Sequence, residues 1–108
     1  MFPGIDQLYQ QIADRLVDGL PPDWSEAWVS AAVQDDHAKA DYDYRNQRGQ
    51  ESWFDPGFGV NGDIAGALIR MRRLMIDAGQ PAWSRVRFTL QRSGRFHVDF
   101  DYAAATAH

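Results

Sequence analysis

Residues Gly57-Phe58-Gly59-Val60-Asn61-Gly62 carry the G-x-G-x-x-G spacing of a turn that can wrap a dinucleotide pyrophosphate. That chemistry needs the turn to follow a buried strand of a parallel βαβ unit, with an acid near the end of the next strand. Here Asp55-Pro56 precedes the glycines, and the next strand-like run opens with Arg85 and Arg87. The glycines therefore read as a flexible loop. His37, His97 and His108 stand singly, with no second histidine at ligand spacing, so no zinc pattern exists. His97 precedes Asp99 and Asp101 on one strand face, which could seed an acid–base site. A small enzyme or ligand-binding domain built around His97 and Asp99 is the alternative that this face keeps open. Catalysis also requires a pocket, and a flat strand face supplies none. Asp41, Asp43, Asp99 and Asp101 could together hold a hard cation, but they lack the spacing of a calcium loop. The serines have no G-x-S-x-G context. No catalytic residue, cofactor site or metal site is expected.

The aromatic and acidic residues point elsewhere. Strand parity places Trp24 and Trp28 on the outward face, away from the aliphatic set. An exposed tryptophan beside carboxylates is the make-up of an interface anchor with a polar rim. The competing reading packs Trp28 against the 51–58 loop. Residues 1–60 hold eleven acids and four bases, hence −7, whereas residues 61–108 hold four acids and seven bases, hence +3. An acidic half attracts a basic partner and speeds encounter. The expected partner-binding residues are Trp28, Asp35, Asp36, Asp41, Asp43 and Trp53. The net charge of −4 argues against DNA or RNA as the main ligand, because phosphate binding needs a basic footprint.

The elements that must position these residues follow from periodicity. Ile5, Leu8, Tyr9, Ile12, Ala13, Leu16, Val17 and Leu20 recur at helical spacing, which predicts a helix over 5–19. Gly19 is expected as its left-handed cap, and Pro21-Pro22 forbids continuation. Ala27, Val29, Ala31 and Val33 alternate with outward residues, as do Ala38, Ala40, Tyr42 and Tyr44 after Asp35-Asp36. This is a hairpin in which Gln34 faces His37. Asn46 to Gln50 reads as a loop and Glu51 to Phe54 as a short third strand at most. A second helix, centred on Ile64, Leu68, Met71 and Met75, is expected to start at Asn61 or Asp63 and to end at Gly79 and Pro81. In the last hairpin Leu90 must face Phe96, leaving the loop Arg92-Ser93-Gly94 with Gly94 left-handed. Arg87 then opposes Asp99, and Arg85 opposes Asp101. Phe88, Phe96, Val98, Phe100, Ile12, Leu16, Leu68 and Met75 are expected to form one core.

The order α-β-β-(β)-α-β-β gives an α+β fold: an antiparallel sheet of four to five strands in two hairpins, with two helices on one face. The 108 residues suit one domain, ordered over about 5–102 with a frayed tail at 103–108. The chain has no cysteine, which excludes disulfides and suits a reducing compartment. No apolar run approaches the roughly 20 residues of a membrane span. Residues 1–6 lack the basic start and apolar stretch of a signal peptide, so the expectation is a cytoplasmic protein.

Leu8-Tyr9-Gln10-Gln11-Ile12-Ala13, Pro22-Asp23-Trp24 and Pro81-Ala82-Trp83-Ser84 resemble the YezG-like bacterial immunity proteins, as does the pattern Phe88-Thr89-Leu90, Gly94, Phe96, Val98, Phe100, Asp101 and Tyr102. These are antitoxins of polymorphic, often LXG-type, toxins. The resemblance covers about half the chain, at both ends. It implies an intracellular inhibitor that holds a cognate toxin domain, frequently a nuclease, inactive. It implies no catalytic residues. A monomer or a weak homodimer is expected.

Overall fold

The computed structural model describes residues 4–102. Its elements in chain order are α1 (Ile5–Gly19), β1 (Trp24–Val33), β2 (Ala38–Asn46), β3 (Glu51–Trp53), α2 (Phe58–Asp77), β4 (Arg85–Gln91) and β5 (Phe96–Asp101). The five strands form one antiparallel sheet in the order β3-β2-β1-β4-β5. Each hairpin has the predicted register. The Gln34 N–H donates to the His37 carbonyl at 2.8 Å, and Leu90 pairs with Phe96 across a loop in which Gly94 has φ +95°. The two hairpins are joined by β1 and β4, with Val29 opposite Phe88 at the centre. The expected tail at 103–108 lies outside the described residues.

Both helices lie on one face of the sheet. Ile12, Leu16, Ile64, Leu68, Met71, Val29, Val33, Phe88, Leu90 and Trp83 are all less than 2% exposed and fill the space between. Arg72 ties the layers together. Its Nε donates to the Trp83 carbonyl at 2.7 Å, and its Nη1 reaches Asp35 at the tip of the first hairpin at 2.6 Å.

Four expectations need correction. Gly19 is not left-handed; it is the last residue of α1, and a Cβ there would lie 2.8 Å from the Pro56 backbone. Its role is to let the helix end touch the loop after β3. Trp24 points inward and joins the core at 7% exposure. A register shift between Trp24 and Glu26 inserts one extra residue, and a bulge of that kind reverses parity for everything before it. The second helix begins at Phe58, earlier than either proposed cap. The Asp55 carboxylate accepts the Gly57 N–H at 2.9 Å and turns the chain, so the helix starts as soon as Gly57, at φ +97°, has redirected it. Finally, Phe96 is 42% exposed, and Val98 and Phe100 are half-buried. Helix α2 sits over β2 and β1, and β5, at the far edge of the sheet, is only partly covered. Phe100 leans on Trp83 at 4.9 Å between ring centroids, while Phe96 lies against Phe88 and Tyr9 at 5.4 Å each.

Candidate partner-binding site

The face opposite the helices carries the outward residues of all five strands. Register places Trp53, Asp43, Trp28, Thr89 and His97 in one row across it. Trp28 does point outward, yet it is only 8% exposed. Arg45 of β2 and Arg87 of β4 reach over its ring, with guanidinium carbons 5.4 Å and 5.5 Å from the centroid. Such cation–π contacts hold a cation over an aromatic face while excluding water from it. Arg45 is itself held by Glu26 at 3.2 Å and Glu51 at 2.7 Å. The middle of the outer face is thus a closed network.

Further along the row, His97 Nε2 meets Asp99 Oδ1 at 2.8 Å, with both side chains more than 60% exposed. Asp99 therefore engages His97, and Arg87 lies over Trp28, although the strand register does set Arg87 opposite Asp99 as predicted. The His97 and Asp99 pair stands on the open strand face, beside a shallow depression of about 170 Å³ lined by Thr89, Gln91, Arg95 and Phe96. Among the described residues the imidazole's one side-chain hydrogen-bond partner is Asp99.

The edge of the sheet at β2 and β3 is different. A groove of about 730 Å³ opens there, walled by Asp41, Tyr42 and Asp43 on one side and by Trp53, Asp55 and Phe58 on the other. Its floor is rigid. Phe54 is buried and meets Tyr42 and Tyr44 edge-on at 5.8 Å and 5.6 Å. The Tyr42 hydroxyl donates to Asn61 Oδ1 at 2.7 Å, and burial pushes its phenol up to about 12. The rim, by contrast, is bare: Trp53 is 75% exposed and Phe58 95%. Among the described residues no cation forms an ion pair with Asp41, Asp43 or Asp55.

The structure gathers three of the six expected partner-binding residues, Asp41, Asp43 and Trp53, into this groove. Asp35 and Asp36 sit apart at the hairpin tip. Asp35 is engaged by Arg72, and Asp36 bonds His37 at 3.1 Å, an interaction that holds its carboxyl below the usual range. Trp28 lies on the same face as the groove but under its arginines. Asp55 and Phe58, which in the sequence stand only beside and within the glycine-rich run, complete the groove.

Three carboxylates without counter-charges around two bare aromatic rings have the make-up of a protein-binding surface. The chain belongs to the YezG-like immunity protein family: the family model described as Immunity protein YezG-like matches residues 5–58 and 60–108. Similar relatives include Immunity protein YezG of Bacillus subtilis (strain 168), 26% identical over 110 residues that span 91% of this chain and 73% of that protein. The Immunity protein YezG of Bacillus spizizenii (strain ATCC 23059 / NRRL B-14472 / W23) is 25% identical over 113 residues, covering 93% of this chain and 70% of that protein.

Proposed function

We propose that the protein binds a cognate toxin domain in the cytoplasm of the producing cell and holds it inactive, as a monomer or a weak homodimer and without chemistry of its own. The toxin belongs to a polymorphic, LXG-type system and presents a basic face, as a nuclease must in order to bind phosphates. Family membership supports the role. The observation that carries the site is the groove at the β2 and β3 edge, where Asp41, Asp43 and Asp55 lack counter-charges beside Trp53 and Phe58. Opposed charges raise the association rate, and an aromatic anchor seated in an apolar pocket slows dissociation. An acidic inhibitor on such a face competes for the groups that would hold the substrate's phosphates.

Co-expression with the product of the neighbouring toxin gene tests the role: protection of the host and co-purification of the pair are expected. Failure of both removes the immunity reading. The double reversal Asp41→Lys with Asp43→Lys tests the site. Association should slow by about tenfold at low salt and by much less near 1 M salt, where the screening length falls to about 3 Å. Unchanged association at low salt would move the interface elsewhere, to the basic face of α2 at Arg70 and Arg73.

A further inference from the structure

β2 is nine residues long, but β3 covers only part of its outer edge. Their register joins Asp43, Tyr44 and Arg45 to Trp53, Ser52 and Glu51. The Phe54 N–H then bonds the Tyr42 carbonyl at 3.0 Å, and the chain turns away at Asp55-Pro56-Gly57 to begin α2. In an antiparallel strand the backbone groups of alternate residues point to alternate neighbours. Tyr42 offers its carbonyl toward β3, so Ala40 and Ala38 direct their N–H and C=O groups to the same side. Among the described residues nothing bonds them there. An unpaired edge of this kind is a template for another strand. Here it runs along the groove, where Ala40 and Asp41 face Pro56 and Phe58.

We propose that an extended basic segment of the toxin adds to the sheet as a sixth strand beside Ala38–Asp41, in line with β3; this rests on the toxin-binding reading above. The open stretch is four residues, or roughly 13 Å of strand. Residues paired across a sheet point to the same side. The incoming residue opposite Ala40 therefore turns toward the apolar wall of Phe54, Pro56 and Phe58. Its two neighbours turn to the outer face, one opposite Asp41 and the other opposite Lys39. The one opposite Asp41, with Asp43 diagonal to it, is where arginine or lysine is selected. Main-chain bonds supply affinity, and the alternate side chains supply specificity. A second copy of this chain answers the site poorly. The cation its own edge brings is Lys39, which leaves Asp43 and Asp55 without partners, and an edge lysine also discourages self-pairing.

The test follows the backbone amides of Ala38 and Ala40 by hydrogen exchange in the isotopically labelled full chain, alone and with the co-purified toxin domain. In the complex both amides should exchange at least about tenfold more slowly. A complex in which they exchange as fast as in the free protein overturns the added strand and leaves the immunity reading standing. Absence of any complex overturns both. Protection that already rises with concentration in the free protein assigns the edge to a second copy, and overturns the proposal. Ala40→Pro deletes an outward N–H that bonds nothing in the free chain, a substitution that edge strands accept. It should weaken toxin binding by about tenfold or more with the melting point kept. Unchanged affinity of a folded variant would overturn the added strand; if the variant does not fold, the exchange rates decide.

Discussion

Trp28 and Trp53 occupy the same face of the sheet and the same cross-strand row, with only Asp43 between them. One is 8% exposed and the other 75%. The difference comes from their neighbours. Trp28 stands on the central strand, so long side chains reach it from both sides, and two arginines close over its ring. Trp53 ends a three-residue edge strand whose one neighbour offers it a short carboxylate. The centre of the outer face satisfies itself within the chain, whereas the edge is left to be satisfied from outside. An outward tryptophan is therefore a candidate anchor only where no cationic neighbour can fold over it.

The largest expected effect would break that comparison directly. Trp28→Ala should lower stability by about 3 kcal/mol in urea denaturation, because it opens a void under two guanidinium groups. Trp53→Ala should change stability by less than about 0.5 kcal/mol. Equal losses would show that the two rings are packed alike. In the toxin complex the order reverses: Trp53→Ala should speed dissociation by about 30-fold, near 2 kcal/mol, as read by surface-binding kinetics. The smallest effect sharpens the contrast between bare rim and dry floor. The Tyr42 phenol stands at about 12 in the folded protein, above its ordinary value of 10.0. The stability it contributes is therefore whole below pH 10 and is lost as pH rises through 12. A phenolate absorbance titration should contain a component near pH 12 that Tyr42→Phe removes.

Strand parity made most of the fold legible. Both hairpin registers, and the outward placing of Trp28, Asp41 and Asp43, follow from a period of two and a shared apolar face. The same counting misplaced Trp24, because a bulge adds a residue without any change in composition to mark it. Periodicity also identifies a face without saying how far the opposite layer extends, which is why Phe96 and Phe100 were expected deeper than they are. The candidate site was legible only in part. Arg87 covers Trp28 through the pairing of β1 with β4, a contact between hairpins that no tight turn announces. The groove needs the end of β3 beside the start of α2. That juxtaposition depends on Asp55 capturing the Gly57 N–H and on Gly19 letting α1 approach Pro56.

The strand order has a consequence for synthesis. β1 emerges among the first residues, yet one of its two neighbours is β4, whose Gln91 pairs with Glu26. At roughly 5–20 residues per second, the ribosome finishes that partner several seconds after β1 appears. Until then the central strand has an open side, and the first hairpin and its helices cannot enclose a core. Pairings that distant in sequence also slow folding itself. Function therefore arrives only with the last hairpin, and a chain truncated before residue 85 should yield neither a stable sheet nor protection.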